Sequence, residues 1–289
     1  MVFTPLHSKG DVEEEVDLDY LEEVRIGHPQ IVEEEAYIID LVKGYAQQSS
    51  QQLRVFIIHG RIGAFAAKLI AAVPEIELIV YERFAPAIVR LQKRFTNSVV
   101  KVFTEKFSEW NEPIDIFISK GIHHHAAKTY LENVKRLMKP EGLLILGDEF
   151  CPEYCTGKYA EYIQTAEKIY LAGGYVLTNS QQITAFQERG EIPQIAKEIE
   201  RLRQQALWTW YKYVVDYAME RDCLKVAIEE LRATYEDLIT NNNHEHKMSP
   251  LILEKEMELC GFKLISKKLL APPEPVENHS FFTYEFKIK

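Results

Sequence analysis

Residues 53–82 have the sequence LRVFIIHGRIGAFAAKLIAAVPEIELIVYE, and this stretch decides the fold class. Its first segment, LRVFIIHG (53–60), is a continuous apolar run ending in glycine, which is typical of a strand buried on both faces. AFAAKLIAAV (64–73) has the periodicity of a helix, which Pro74 ends, and IELIVYE (76–82) is a second buried strand. The order of strand, helix and strand predicts the beginning of a parallel sheet.

The same alternation continues to residue 150 and then stops. The pattern predicts helices over 85–95 and 125–138, strands over 99–104, 113–119 and 143–150, and a turn over KPEG (139–142). Residues 156–240 are rich in Tyr, Gln and Glu and predict helices. A helix capped by Ser249 and stopped by Gly261 follows, and residues 262–271 and 281–288 are two strands of an antiparallel edge.

We therefore expect an α/β protein with a doubly wound, mostly parallel seven-stranded sheet. A helical N-terminal arm is predicted over 1–50, a sheet domain over 51–150 together with 249–289, and a helical cap over 151–248. Within the arm, one helix is expected from about Val12 to Val24 and another from about Ile31 to Gly44, after Pro29.

Composition excludes several classes of protein. The chain has 289 residues, of which 46% are hydrophobic and 27% charged, as in an ordinary globular protein. No apolar run approaches the roughly 20 residues that span a bilayer, no secretory leader is visible, and four cysteines are too few for a disulfide scaffold. We expect a cytoplasmic protein without membrane partners.

The net charge of −10 comes from one end of the chain. Residues 1–40 contain twelve Asp or Glu and two Lys or Arg, so the remaining residues are neutral overall. Acidic runs of this kind usually form solvated helix faces. No basic stripe interleaved with aromatic residues is present, so nucleic-acid binding is not expected.

Candidate binding residues lie where the predicted strands end, because open parallel sheets bind ligands outside the carboxyl ends of their strands. These tips are residues 59–63, 82, 104–107, 119–125 and 148–154. Glu82 closes the second strand, where a carboxylate can accept hydrogen bonds from both hydroxyls of a ribose. The glycine turn at 60–63 lets the backbone approach a ligand.

The order of these signals resembles the class I S-adenosylmethionine-dependent methyltransferases. VFIIHGRIGAFA (55–66) is similar to the family's glycine-rich first motif, IVYERF (79–84) to its acidic motif, and PIDIFISKGIHHH (113–125) to its fourth-strand segment. LENVKRLMKPEGLLILGDEF (131–150) and MSPLILEKEMELCGFKLISKKLL (248–270) also resemble family segments. The resemblance covers about 53–150 and 249–289.

This resemblance implies S-adenosylmethionine as the cofactor and methyl transfer to a small organic acceptor. Glu82 would bind the ribose, and the other residues implied at the cofactor are His59, Gly60, Gly63, Glu105, Phe107 and Ser119. Methyl transfer requires alignment and removal of a proton from the acceptor. The resemblance implies His123 as the base, and Glu149 is the second choice. The alternative is that the histidines at 123–125 pack or cap the start of a helix.

Three positions differ from the family's pattern. Ile57 or Ile58 replaces the acid that precedes the glycine turn, the turn keeps only Gly60 and Gly63, and Glu105 is the nearest substitute for an adenine-contacting Asp. These differences favour an alternative function: a protein of the same fold that binds a cofactor or ligand for another reaction, or a non-catalytic scaffold. A nicotinamide dehydrogenase requires G-x-G-x-x-G, which is absent.

The cap is expected to supply part of the acceptor site. His124, Tyr154, Trp208 and Tyr211 are the candidates for acceptor binding. Trp210, Tyr213 and Tyr217 share one helix face, which indicates core packing, a homodimer surface or a lid over the strand tips. No metal is expected: His123, His124, Asp148, Glu149, Cys151 and Cys155 lie at neighbouring tips, but neither a Cys-x-x-x-Cys pair nor adjacent histidines form a metal signature.

Overall fold

The computed structural model describes residues 24–96, 98–124, 130–169, 176–239 and 247–289. Of the two helices expected in the N-terminal arm, the one from about Val12 therefore lies outside the described residues except for its end at Val24. The other is present and longer than predicted.

The centre of the structure is one sheet with seven strands in the described part of the chain. The strands are β1 Arg54–Ile58, β2 Glu77–Tyr81, β3 Lys101–Phe103, β4 Ile114–Lys120, β5 Met138–Glu149, β6 Phe262–Ala271 and β7 Phe281–Ile288. Their order is β3-β2-β1-β4-β5-β7-β6. The first five strands are all parallel to one another. β7 is antiparallel to both of its neighbours, β5 and β6. The predicted doubly wound sheet with an antiparallel edge is confirmed.

Helices cover both faces of this sheet, and further helices lie between β5 and β6 in the chain. They are α1 Ile31–Gln48, α2 Ala64–Ala72, α3 Ala85–Arg94, α4 Tyr130–Leu137, α5 Lys158–Gln164, α6 Ser180–Arg189, α7 Gln194–Met219, α8 Leu224–Ile239 and α9 Pro250–Leu259. As predicted, Ser249 caps α9, and its hydroxyl accepts a hydrogen bond from the Ile252 N–H at 3.4 Å. Within the described ranges, every helix is too short or too polar to cross a membrane.

The predicted turn at KPEG (139–142) is wrong, because these residues belong to β5. Met138 pairs with Ile114 of β4, and the register shifts between Ile114 and Ile116. The Lys139 ammonium lies 2.8 Å from the Asp115 carboxylate. The Pro-Glu-Gly sequence therefore does not end the strand. Its residues lie at an irregularity in the pairing of β4 with β5.

Two buried clusters lie on opposite faces of the sheet. On one face, Ile38, Leu69 and Leu91 of α1, α2 and α3 pack against the sheet. On the other face, α4 and α9 pack against it, and Trp210 of α7 belongs to the same cluster. The Trp210 ring lies 6.3 Å from that of Phe281, which pairs with Glu149 at the tip of β5. The helical segment after β5 thus packs at the carboxyl end of that strand.

Gly60 is where the turn after β1 comes closest to β2. A Cβ atom at this position would lie 2.0 Å from Val80 Cγ1. We expect Gly60→Ala to lower the free energy of unfolding by about 1–3 kcal/mol, because extra volume in a close-packed site forces its neighbours apart. Equilibrium unfolding in urea measures the change.

The control is Gly44→Ala in α1, where a Cβ atom would meet no neighbour within 4 Å. This variant should be stabilised by roughly 0.5–1 kcal/mol, the usual gain from replacing a helical glycine. Parental stability in Gly60→Ala would contradict the close approach of the turn to β2.

Candidate functional site

The turn between β1 and α2 has three residues with positive φ. These are His59 at 55°, Arg61 at 47° and Gly63 at 78°. The Gly60 N–H donates to the Tyr81 carbonyl at 2.8 Å, and the Gly63 N–H donates to the Gly60 carbonyl at 2.9 Å. Two non-glycine residues therefore hold a left-handed conformation, which costs roughly 1 kcal/mol or more each. The β-branched Ile62 is not one of them.

Glu82 ties this turn to the tip of β2. One carboxylate oxygen accepts the Arg61 N–H at 2.9 Å, and the other accepts the N–H groups of Arg83 and Phe84 at 2.8 and 2.9 Å. Burial alone would raise the pKa of Glu82, but hydrogen bonds from His59 and from the Phe84 and Arg83 backbone outweigh it and hold the pKa below its usual value. Glu82 is thus an ionised carboxylate that fixes the turn.

A cavity of about 390 Å³ lies beside the turn, at the carboxyl ends of β1, β4 and β5. Its floor is the segment 57–66 together with Lys120 and Gly121. The residues before and within the first turns of α1 form one wall, and residues 229–233 of α8 form another. The volume is within the range of roughly 300–1,000 Å³ that is usual for small-molecule sites.

Charged side chains dominate the α1 side of the cavity. Glu35 accepts two hydrogen bonds from the Arg25 guanidinium, at 3.0 and 2.8 Å, and one from Lys68 at 3.1 Å. Glu34 is buried beside it, and one of its oxygens lies 3.5 Å from the Lys120 ammonium. Its other oxygen has no hydrogen-bond partner among the described residues and lies against Gly147, where a Cβ atom would be 2.0 Å away.

Burial raises the pKa of Glu34 to about 7, and the nearby Asp148 and Glu149 carboxylates act in the same direction. The Lys120 ammonium opposes the shift without overcoming it. Glu34 is therefore a cavity carboxyl group that changes its charge near neutral pH.

A second charged cluster joins β5 to the arm and to α8. Nε2 of His28 lies 3.2 Å from an oxygen of Glu149 and 3.5 Å from an oxygen of Glu230. The second oxygen of Glu149 lies 3.6 Å from the buried Lys247 ammonium, whose Nζ is 4.3 Å from the Trp210 ring centroid. Burial lowers the pKa of His28, but the carboxylates of Glu149 and Glu230 outweigh it and raise the pKa to about 10.

The tips of β4 and β5 are connected through Asp148 and His124. One oxygen of Asp148 accepts the His124 backbone N–H at 2.9 Å, and the other accepts the Glu149 N–H at 2.9 Å and contacts the His124 ring. Burial raises the pKa of Asp148, but the charge and hydrogen bond of His124 outweigh this and lower it. The His124 ring is held in this way at the edge of the cavity.

The cavity brings together five of the residues predicted from the sequence: His59, Gly60, Gly63, His124 and Glu149. Glu82 lies behind the turn, where it binds backbone N–H groups. The structure does not place the remaining predicted residues on the cavity.

Two of the predicted cofactor residues are separated from the cavity by packing. Phe107 is in the core, with its ring stacked on Phe56 at 5.1 Å. Ser119 is fully buried on the sheet face opposite the cavity, while Glu105 is exposed to solvent.

The proposed base His123 also lies elsewhere. It is 1% exposed, its Nε2 is 2.9 Å from a Glu256 oxygen, and its Nδ1 is 2.5 Å from the Tyr130 hydroxyl. Both ring nitrogens are therefore used to connect β4 to α4 and α9, as expected of a histidine that packs the start of a helix. This geometry gives His123 no access to the cavity.

The predicted acceptor residues of the cap lie away from the cavity. Tyr154 is buried in the core cluster, and burial raises the pKa of its phenol well above the usual value. Trp208 is 55% exposed, and its ring makes an edge-to-face contact with Tyr211 at 5.5 Å on the outside of α7. In the aromatic series, Trp210 is in the core, while the Tyr217 ring lies under the Arg221 guanidinium.

Sequence reasoning missed the acidic and basic residues that form most of the cavity walls. Glu34 and Glu35 were attributed to a solvated helix face. However, Glu34, Ile38 and Val42 are spaced four residues apart, Glu35 lies three residues before Ile38, and all four are buried on one helical face. This periodicity was a usable signal. His28, Glu230 and Lys247 had no comparable signal, because they meet only in three dimensions.

The seven-stranded, mostly parallel sheet, with β7 inserted antiparallel between β5 and β6, agrees with the sheet expected from the resemblance to class I S-adenosylmethionine-dependent methyltransferases. No protein-family model matches this sequence, and no curated protein matches it.

Several solved structures are similar to this chain. LepI in complex with SAM is 11% identical, with a TM-score of 0.46; the match covers 86% of this chain and 46% of that chain, so this chain spans about half the length of LepI. The N-methyltransferase NodS from Bradyrhizobium japonicum is 10% identical, with a TM-score of 0.43 and coverage of 89% and 97%. The mitomycin 7-O-methyltransferase MmcR is 10% identical, with a TM-score of 0.46 and coverage of 94% and 67%.

Glu34 makes the stability of the protein depend on pH. Its pKa is about 7 in the folded state against an ordinary 4.5, so the folded state retains a proton that the unfolded state releases between these values. The contribution of Glu34 to stability therefore falls as pH rises from 4.5 to 7. We expect the free energy of unfolding of Glu34→Gln, relative to the parent, to increase by up to about 3 kcal/mol between pH 4.5 and pH 8.

Urea unfolding of both proteins at several pH values measures this difference. The matched control is Glu33→Gln, on the exposed side of the same helix, which should leave the cavity and its buried carboxyl group unchanged. A constant difference for Glu34→Gln would show that this carboxyl group titrates normally.

His123→Ala should destabilise the fold, because it leaves the buried Glu256 carboxylate without one of its partners. We expect a loss of about 1–3 kcal/mol in the free energy of unfolding. A double-mutant cycle with Glu256→Gln should give a coupling energy above about 0.5 kcal/mol. Additive effects of the two substitutions would rule out a structural His123–Glu256 interaction.

Proposed function

We propose that this protein binds S-adenosylmethionine at the turn after β1 and transfers its methyl group to a small organic acceptor in the adjacent cavity. The observation that carries the proposal is the contact between Glu82 and the turn. The acid at the tip of β2 is ionised and bound to the Arg61 N–H, and the same turn forms the floor of the cavity. The acid that we assign to the ribose, the glycine turn and the cavity that we assign to the acceptor are therefore neighbours, which supports the proposal.

The groups around the cavity fit the chemistry of this cofactor. S-adenosylmethionine carries an ammonium, a carboxylate and a sulfonium, and when bound it supplies an already activated methyl group. The cavity has carboxylates at Glu34 and Glu149 for positive charges and basic groups at Arg25 and Lys120 for a carboxylate. The Glu82 oxygen that accepts the Arg61 N–H accepts no other hydrogen bond from the described residues, so its second lone-pair site could accept one from a ribose hydroxyl.

The protein's own contribution would be alignment and proton removal. Within the cavity, Glu34 is the group that we assign as the proton acceptor in place of His123, because its pKa of about 7 suits a base at neutral pH. Glu149 is less suited, because His28 and Lys247 hold its pKa well below the usual value despite its burial. An acceptor that is already a carboxylate or an enolate has no proton to lose and needs neither Glu34 nor Glu149 as a base.

A second candidate function is binding of the cofactor or a related ligand without methyl transfer. The positive φ of His59 and Arg61 favours it, because it makes the turn differ from one built on glycines. Calorimetric titration with S-adenosylmethionine and S-adenosylhomocysteine tests both candidates. Incubation with methyl-labelled cofactor and the small-molecule fraction of a cell extract then separates them, since only the first gives a labelled product. Absence of binding of either compound by the parent protein would refute both methyl transfer and binding of this cofactor.

Substitution of Glu82 provides the residue-level test. Glu82→Gln removes the negative charge and should weaken S-adenosylhomocysteine binding by about 10- to 100-fold, the effect of losing one charge-assisted hydrogen bond. Calorimetric titration gives the affinity, and circular dichroism confirms that the variant is folded.

The control is Glu77→Gln on the same strand. Glu77 lies at the opposite end of β2 and pairs with Arg54 and Lys101, so its loss should leave the affinity unchanged. Equal affinity in Glu82→Gln and the parent would place the adenosyl site elsewhere.

A further inference from the structure

The cluster of His28, Glu149 and Glu230 has the geometry of a metal site. Among the described residues, these three side chains form one group whose possible ligand atoms all lie within 4.8 Å of one another. His28 is 3% exposed, and its Nε2 has no hydrogen-bond partner of acceptable geometry among the described residues. A buried ring nitrogen thus faces two carboxylate oxygens across a space that borders the cavity.

Gln30 fixes the orientation of the His28 ring. The side-chain carbonyl of Gln30 contacts Nδ1 of His28, and a carbonyl oxygen can only accept a hydrogen bond. Nδ1 therefore carries a hydrogen, and Nε2, directed at the carboxylates, would release its proton to solvent when a metal ion binds. Metal-binding histidines usually have this arrangement, in which the second ring nitrogen donates to an oxygen that sets the tautomer. The edge of the ring also packs on Phe281, with 5.4 Å between centroids.

The two separations from the His28 ring nitrogen agree with those around a small divalent ion. Metal–ligand bonds of about 2.0–2.2 Å place neighbouring ligand atoms roughly 3.0–3.5 Å apart. The distances from His28 Nε2 are 3.2 Å to Glu149 and 3.5 Å to Glu230. One imidazole and two carboxylates leave at least one coordination position, which would face the cavity.

The positive charge of Lys247 could repel a metal ion bound to this cluster. Its ammonium lies 3.6 Å from the Glu149 oxygen that does not face His28, and the Trp210 ring also contacts it. This contact leaves the oxygen that faces His28 available as a monodentate ligand. The two carboxylates outnumber the single ammonium, so the cluster remains suited to a cation.

We propose that His28, Glu149 and Glu230 bind one divalent transition-metal ion, of the type that nitrogen and carboxylate oxygen ligands hold, such as Zn²⁺ or Mn²⁺. His28 precedes α1, Glu149 ends β5 and Glu230 is in α8, so the ion would connect the arm, the sheet and the cap. Two of the three ligands lie outside the segments that resemble methyltransferases. The inference does not rest on the proposed methyl transfer, because the ion is measured without S-adenosylmethionine.

The test uses the full chain after removal of metals with a chelator. Calorimetric titration with Zn²⁺ should show one ion per chain, and added Zn²⁺ should raise the melting temperature. Titration with Co²⁺ should give visible absorption bands of a complex with one nitrogen ligand. His28→Gln and Glu230→Gln should each weaken Zn²⁺ binding at least 100-fold and abolish the thermal shift. Gln30→Ala should weaken it about 10- to 100-fold, as expected for a residue that only orients a ligand.

The matched control is Glu229→Gln, the neighbouring residue of α8, which lines the cavity and pairs with Arg232. This variant should bind Zn²⁺ as the parent does. Glu230→Gln keeps the shape of the side chain and serves as the decisive variant if His28→Gln does not fold. Absence of stoichiometric binding by the parent, or unchanged binding by Glu230→Gln, would overturn the proposal and leave the cluster as a buried ion-pair network.

Discussion

The burial of charge at the tip of β5 is the constraint on which the arrangement of the other parts depends. Glu149 lies between His28 of the arm and Lys247, the residue that leads into α9, and both partners are almost fully buried. Breaking a buried pair by removing one partner typically costs about 3–5 kcal/mol, because the remaining charge is left uncompensated. The segment before α1, the sheet and the segment before α9 therefore hold one another in place, and all three contribute residues to the lining of the cavity.

The sheet could be predicted from the sequence because its strands are buried on both faces. Val55 to Ile58 and Leu78 to Tyr81 are continuous apolar runs separated by one helix, and only a parallel sheet covered on both sides buries such runs. The turn predicted at 139–142 was wrong because a bulge in the β4–β5 ladder depends on the neighbouring strand, which local sequence does not encode.

Prediction of the site was less successful, for a physical reason. Strand ends could be located, and His59, Gly60, Gly63, His124 and Glu149 at these ends all line the cavity. Which side of the sheet a tip residue faces depends on strand register, and a shift of one residue exchanges the two sides. His123 and His124 are adjacent, yet the first contacts Glu256 in the core and the second lies at the cavity. The walls of the cavity come from the arm and from α8, and no local sequence pattern indicates that these two segments pack together.

The position of β7 between β5 and β6 also has a consequence for the synthesis of the chain. β5 ends at Glu149, and its antiparallel partner begins at Phe281, about 130 residues later. At roughly 5–20 residues per second, a ribosome would leave that edge of β5 unpaired for about 7–26 s. An apolar strand with an open edge can pair with other chains during this interval. The helices between residues 158 and 239 are synthesised in the meantime, and Trp210 of α7 belongs to the same buried cluster as Phe150 and Cys151, which directly follow β5.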